Sequence, residues 1–132
     1  RASRLALDEG VYYAHFLILG GYGDTRENVR ETIENSRRME YTVMFPYAGM
    51  RIYPHTRLAE LAAKEGAIGR DDDLMAPSYY ISRDFDLEEV RRAALATGKA
   101  WVFPDDPQSA LADTLRLKRN KKGPLWEYLR KP

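Results

Sequence analysis

The chain has 132 residues, a length that fits one domain able to bury its own hydrophobic core. Its formal net charge is +1 and 44% of its residues are hydrophobic, a composition that excludes an intrinsically disordered chain. It contains no cysteine, which excludes disulfides, thiolate metal sites and an iron–sulfur cluster held by this chain alone. The longest apolar run, residues 12–19, is too short for a membrane span, and the sequence shows no signal-peptide pattern, so we expect a cytoplasmic protein.

The first segment predicts a strand followed by a helix. Residues 11–19 (VYYAHFLIL) are almost continuously apolar or aromatic, which predicts a strand covered on both faces. A glycine-rich segment, residues 20–23, ends this strand. Asp24 then lies three residues before Glu27 in a capping-box arrangement, which predicts a helix that runs to about Arg38.

The next segment repeats the pattern. Residues 41–45 (YTVMF) predict a second strand, and after a loop Thr56 can cap a helix that Gly66 ends. Strand, helix, strand and helix joined by short loops predict parallel βα units in an α/β fold. Residues 1–9 predict the end of a preceding helix.

The second half of the chain has a different character. Residues 79–81 (YYI) predict a short edge strand, and Asp86 with Glu89 repeats the capping box at the start of a helix that Gly98 ends. Asp106-Pro107 predicts the start of one more helix. We therefore divide the chain into residues 1–68, with the βα units, and residues 69–132, a mainly helical extension.

The end of the chain is basic. Residues 114–132 carry a net charge of +6, so residues 1–113 carry −5. A basic run can contact nucleic acid or an anionic lipid. The leucines interleaved with the basic residues favour a helix that docks on the rest of the protein instead, and we expect no nucleic-acid partner.

Three glycines between the first strand and its helix form the most specific local pattern. Gly20, Gly21 and Gly23 let the backbone turn tightly and let a ligand approach, and free amides at a helix start favour an anionic group. Arg26 stands where a dinucleotide-binding fingerprint needs its third glycine, and no Gly-Lys-Ser/Thr follows, so neither common phosphate motif is complete. A plain turn between strand and helix is the alternative interpretation.

A second group of polar side chains follows the second strand. Arg51, Tyr53, His55 and Arg57 lie near the predicted carboxyl end of that strand, which is where ligands bind in parallel sheets and barrels. Arg51 can hold a carboxylate or phosphate in a bidentate pair. These residues can equally border a loop without binding anything, and His15, inside the first strand, is interpreted as a packed core histidine.

The order of these pieces resembles the carboxyl-terminal half of the radical S-adenosylmethionine barrel. Methylthiotransferases and cobalamin-binding members of that superfamily carry a strand ending in a pattern like I-V-G-F-P-G-E-T, then a helix and an R-x-Y-P-G-T-like stretch. The corresponding stretches here are residues 16–25 (FLILGGYGDT) and 51–56 (RIYPHT), where Gly20, Gly23 and Thr25 match, Asp24 replaces glutamate, Tyr22 replaces proline and His55 replaces glycine.

The later stretches 79–82 (YYIS) and 122–127 (KGPLWE) look like the tail of cobalamin-binding radical enzymes linked to lipid biosynthesis. The resemblance implies a partial parallel (β/α) barrel fragment with a mostly helical C-terminal extension. It implies an enzyme that uses S-adenosylmethionine, a [4Fe–4S] cluster and, in some members, cobalamin, with a small-molecule or lipid-precursor substrate.

The resemblance also implies positions for the ligands. The cofactor-binding residues would be Ile18, Leu19, Gly20, Gly21, Gly23, Asp24 and Thr25, and the substrate side would be formed by Tyr47, Arg51 and Tyr53. The family holds its cluster with a C-x-x-x-C-x-x-C loop, so we expect an upstream N-terminal part of the same enzyme to supply it. The present chain alone is not expected to cleave the cofactor, and an open sheet edge predicts a homodimer.

Two other classes of function remain open on the sequence. One is a stand-alone α/β module that binds a nucleotide or another anion at the glycine segment without catalysis. The other is a docking or nucleic-acid-contacting module that uses the basic tail, for which binding would depend steeply on salt.

Overall fold

A computed structural model describes residues 2–104 and 125–130. Their secondary structure alternates between helices and strands, with one additional sheet inserted. The α-helices are α1 (Ala2–Asp8), α2 (Arg26–Asn35), α3 (Arg57–Glu65) and α4 (Leu87–Ala96), the strands are β1 (His15–Leu19), β2 (Val43–Ala48), β3 (Met50–Ile52), β4 (Ser78–Tyr80) and β5 (Ala100–Trp101), and Ser36–Arg38 and Leu125–Leu129 are 3-10 helices.

The strands form two sheets. In the main sheet β1, β2 and β5 lie side by side in chain order and all run parallel, with Ile18 opposite Tyr47 and Met44 opposite Trp101. Strands β3 and β4 pair antiparallel in a separate ribbon. The α/β class with parallel strands is therefore confirmed, and the described residues form no closed barrel.

The helix predictions are confirmed in position but partly wrong in their caps. Helix α3 begins after Thr56 and ends at Gly66, which has the predicted left-handed conformation. Helix α2 is capped by Thr25 rather than Asp24, and Asn28 rather than Glu27 completes the capping box. The α-helix ends at Asn35 and continues only as a 3-10 turn to residue 38. In α4 the Asp86 carboxylate accepts the amides of the first turn as predicted.

The strand predictions need larger corrections. Strand β1 begins at His15 instead of residue 11, and β2 covers Val43–Ala48 instead of 41–45. Tyr41 has a positive φ of 51°, a conformation incompatible with a strand, so pairing begins only after it. Strands β3 and β5 were not predicted, because three and two residues are too few to show an alternating pattern. The predicted helix after Asp106 lies outside the described residues.

Helices α2 and α4 pack on one face of the main sheet. Val29 and Ile33 of α2, with Val90 and Ala94 of α4, join a buried cluster that the sheet completes with Leu19, Met44, Trp101 and Phe103. This cluster contains residues from both sides of the predicted boundary at residue 68. The helices therefore form one layer against three strands.

A smaller cluster anchors the ribbon. Ile52 and Tyr80 of the ribbon pack with Ala62 of α3 and with Leu74. The Tyr80 hydroxyl donates a hydrogen bond to the Glu65 carboxylate at 2.8 Å. This hydrogen bond raises the pKa of Tyr80, and burial of the hydroxyl raises it further. Helix α3 is thus fixed to the ribbon.

The opposite face of the main sheet is exposed at one end only, around Phe16 and Ile18, and we call this part the open face; Val43, on the same side of β2 as Tyr47, is fully buried. Phe16 is 68% exposed and Ile18 60% exposed, although both lie in a strand. Phe16 stacks on Phe45 at 5.1 Å between ring centroids, and Tyr47 continues this row of side chains. The prediction that β1 is covered on both faces is therefore not met among the described residues, where Leu17 and Leu19 pack toward the helices while Phe16 and Ile18 stay exposed.

The two helices are also joined by charge. The Glu89 carboxylate binds Arg26 at 2.7 Å and Arg30 through two guanidinium nitrogens. These contacts explain why Glu89 does not complete a capping box with Asp86. The hydrogen bond from Arg30 and the charges of both arginines hold the pKa of Glu89 below its ordinary value of 4.5, with partial burial opposing them.

This lowered pKa predicts a dependence of stability on pH. Because the folded state favours the ionised carboxylate, the stabilisation is present above pH 4.5 and is lost as the pH falls below it. We expect the difference in free energy of unfolding between the unmodified chain and Glu89→Gln to shrink over that range, measured by urea denaturation. Glu88→Gln, at an exposed carboxylate of the same helix, is the matched control. A difference that stays constant with pH would contradict the role of Glu89.

Candidate functional site

The carboxyl ends of β1 and β2 and the end of the ribbon meet at one edge of the main sheet. The Gly49 amide donates to the Leu19 carbonyl at 2.7 Å, so β3 begins beside the end of β1. Ser82, two residues after β4, donates its amide to the Gly20 carbonyl at 2.8 Å and its hydroxyl to the Asp24 carbonyl at 3.0 Å. The ribbon is therefore tied to the glycine segment.

The glycine segment is covered by side chains of the same chain. Gly20 is buried with a φ of +74°, and a Cβ placed there would overlap the ring of Phe85. Gly21 is also buried, and Met50 lies against it. The glycines are required here for close packing of the chain on itself, in addition to the turn.

The amides of this segment are largely paired. Gly21 donates to the Asp24 carboxylate at 3.0 Å, and Asp24 donates to the Gly21 carbonyl at 3.1 Å. Thr25 and Asn28 pair with each other's side chains. The expectation of free amides for an anionic ligand is therefore wrong for these four residues, since a carboxylate of the chain already lies inside the turn.

The predicted cofactor-binding residues divide into accessible and buried groups. Leu19 is 4% exposed and belongs to the core beside the buried Gly20 and Gly21. Ile18 points to the open face of the main sheet, opposite Tyr47, which is 41% exposed. Of the accessible members, Ile18, Gly23 and Thr25 are exposed, and Asp24 is half-buried.

The predicted substrate-side residues lie on two surfaces. Tyr47 belongs to the open face of the main sheet, whereas Arg51 lies in the ribbon and Tyr53 directly follows β3. The Arg51 guanidinium carbon lies 4.9 Å from the centroid of the Tyr53 ring, a cation–π contact. Tyr79 pairs directly across the ribbon from Arg51, and the sequence reasoning did not include it in the site. Only the strand pairing places it there.

Two of the remaining polar candidates, Arg57 and His15, have structural contacts. Arg57 pairs with Glu60 at 2.8 Å. His15 lies half-buried against the Tyr13 ring and 3.5 Å from the Ser3 hydroxyl, and burial lowers its pKa, in agreement with a packed histidine. Phe85 and Ser82, which complete the edge, were missed because they come from a distant loop with no motif of their own.

Within residues 2–104 and 125–130, no group of three or more His, Asp or Glu side chains is arranged to hold a metal ion. None of the helices in this part of the chain combines the length and apolar character needed to cross a bilayer. A scan against protein-family models found no matching family, and searches of curated proteins and of solved structures found no match.

The packing of Phe85 on Gly20 gives a testable difference between two glycines. Gly23 also has a positive φ, +85°, but a Cβ there would meet no atom within 4 Å. We expect Gly23→Ala to cost about 1 kcal/mol of stability for the strained backbone. Gly20→Ala should cost roughly 1–3 kcal/mol more because of overpacking. Thermal or urea unfolding measures both.

A chain that lacks the Phe85 ring separates the cost of backbone strain from the cost of overpacking. In a Phe85→Ala chain, the cost of Gly20→Ala should fall to that of Gly23→Ala, because the overlapping ring is gone. Equal costs for the two glycine variants in the unmodified chain would contradict the packing described for Phe85.

Proposed function

We propose that this chain forms the last βα units of a radical S-adenosylmethionine barrel and contributes to its cofactor- and substrate-facing side. The observation that carries the proposal is the one-sided packing of the main sheet. Three parallel strands lie in chain order, helices α2 and α4 cover one face, and Phe16, Ile18 and Tyr47 are exposed on the other. This is the arrangement expected of a segment of barrel wall, whose inner side faces the barrel centre.

The same observation disfavours a stand-alone nucleotide-binding module. A doubly wound sheet has helices on both faces and binds its ligand where the strand order reverses. Here the order β1, β2, β5 has no reversal, and both helices of the main cluster share one face. The paired amides of residues 21, 24, 25 and 28 further weaken the case for a phosphate at the glycine segment.

The residues fit one part of the implied cofactor set and not the other. The chain has no cysteine, so it does not fit the [4Fe–4S] cluster, and no step through the cluster is derived. The open face does fit an adenosyl group, since Ile18 offers apolar surface and Tyr47 beside it offers an aromatic ring. When bound in such enzymes, S-adenosylmethionine supplies the radical that abstracts hydrogen from the substrate.

The protein's own contribution is binding and orientation. Ile18 would contact the nucleoside on the open face, with the exposed Gly23 and Thr25 at its margin. Gly20 and Gly21 would act indirectly, because they are buried and hold the ribbon against the end of β1. Arg51 and Tyr53 would face the substrate. Cobalamin, a lipid-precursor substrate and an upstream part that supplies the cysteines belong to the same proposal.

The open edge of the main sheet is also part of the proposed function. Strand β1 pairs only with β2 among the described residues, so its other edge is available to another strand. In the proposed enzyme an upstream strand would occupy this edge. Pairing of two copies through the same edge would give the predicted homodimer when that strand is missing.

Cysteine alkylation tests the cofactor proposal in the 132-residue chain. Because the chain has no cysteine, a single introduced thiol is the only site that reacts. Ile18→Cys and Leu95→Cys form a matched pair, since the native side chains are 60% and 61% exposed. We expect S-adenosylmethionine at about 1 mM to slow the alkylation of Ile18→Cys and to leave Leu95→Cys unchanged.

ATP distinguishes the alternative function. Protection of Ile18→Cys by ATP without protection by S-adenosylmethionine would support a nucleotide-binding module and overturn the proposal. Protection by neither ligand, or equal protection of both thiols, would also overturn it.

A further inference from the structure

The ribbon formed by β3 and β4 has two chemically different faces. Ile52 and Tyr80 turn inward to the cluster with α3. Arg51 and Tyr79, which are register partners, turn to the opposite side, and Tyr79 is 54% exposed. Tyr53 follows two residues after Arg51 and is 53% exposed. The outer face therefore presents one cation with a tyrosine on each side.

The Arg51 side chain is held in place by an aromatic ring and not by an ion pair among the described residues. Its guanidinium stacks on the Tyr53 ring at 4.9 Å, which restricts the side chain but leaves its N–H donors available. In the described part of the chain no carboxylate lies within ion-pair distance of Arg51, whereas Arg26, Arg30 and Arg57 each bind a glutamate. Arg51 thus has the geometry of a binding group that is oriented before its ligand arrives.

We propose that the outer face of the ribbon is an anion-binding site for the substrate, with Arg51 as the group that binds a carboxylate or phosphate. The inference rests on the proposed function and deepens it by naming an anionic substrate class. Cross-strand partners in an antiparallel pair have Cβ atoms about 5 Å apart, so Tyr79 is the cross-strand neighbour of Arg51 on this face. Tyr79 would contact an apolar or planar part of the substrate next to its charge.

The position of the ribbon supports this assignment. Its attachment through Gly49 and Ser82 places it at the carboxyl ends of β1 and β2, the edge of a parallel sheet where ligands bind. Arg51 and Tyr53 also belong to the R-x-Y-P-like stretch of the sequence. The structure adds Tyr79, which comes from a separate segment, to these two.

Binding of simple anions to the 132-residue chain tests the site without S-adenosylmethionine. The probes are phenyl phosphate and benzoate, which combine a ring with a phosphate or a carboxylate, and binding is followed by the amide shifts of Arg51 and Tyr79 in NMR titrations. We expect Arg51→Gln to weaken the preferred probe by about tenfold or more, because a charge-assisted hydrogen bond is removed. Arg92→Gln, which removes an arginine of α4 that is also exposed, should leave the affinity unchanged.

Three results would overturn the site. They are no binding of either probe, shifts confined to other parts of the chain, and equal weakening by Arg51→Gln and Arg92→Gln, which would indicate non-specific charge attraction. Which probe binds more tightly distinguishes a phosphate from a carboxylate substrate. Failure of the cofactor proposal is recognised separately, because the alkylation assay contains no anion probe and this titration contains no cofactor.

Tyr53 is assigned as a positioning residue that acts through Arg51. We expect Tyr53→Leu to weaken probe binding by roughly twofold to fivefold, the size of an exposed cation–π contact. Tyr53→Phe keeps the ring and should restore the native affinity. Equal affinities for the leucine and phenylalanine variants would overturn the role of the Tyr53 ring. The assignment of Arg51 is tested separately by Arg51→Gln.

Discussion

One-sided packing of a parallel sheet determines the rest of this structure. Val29 and Ile33 of α2, with Val90 and Ala94 of α4, cover the face that contains Leu19 and Met44. Burial of this kind stabilises a protein by about 25 cal/mol for each Å² of apolar surface. The apolar contact with the sheet therefore holds both helices in place. Nothing equivalent among the described residues covers Phe16 and Ile18 on the other face. An apolar sheet face left open in this way is typical of a surface that meets a partner, a cofactor or another part of the same protein.

The glycine segment and the ribbon follow from the same constraint. Because β1 ends at the edge of this sheet, the chain must turn toward α2, and Gly20 allows the ring of Phe85 to close over the turn. The turn is consequently a tightly packed connection between β1 and α2. The groups available to a ligand lie on either side of it: Ile18 and Tyr47 on the open sheet face, and Arg51 on the ribbon. A site that spans these surfaces is the basis of the proposed function.

Local sequence patterns predicted the positions of helices and strands better than the way these elements pack and pair with one another. Thr56, Gly66 and Asp86 were predictable as helix boundaries because caps depend on neighbouring residues. The cap of α2 was misassigned, since Asp24 and Thr25 both suit an N-cap and only the turn shows that Asp24 binds Gly21. The open face was also mispredicted, because a continuous apolar strand does not reveal which neighbours are missing. Arg51 and Tyr53 were proposed for the substrate side from two positions of one sequence motif, whereas adding Tyr79 to that proposal required knowledge of strand register.

The exposure of the sheet face is tested most directly by the reactivity of one introduced thiol. Phe16→Cys places a cysteine where the native side chain is 68% exposed, and Ser36→Cys places one where the native side chain is 1% exposed. The account predicts that the first reacts with a maleimide about as fast as it does in the urea-unfolded chain, whereas the second reacts only through transient unfolding. If Phe16→Cys in the folded chain is as slow to react as Ser36→Cys, the face is covered in solution, and both the barrel-wall interpretation and the cofactor surface built on it are contradicted.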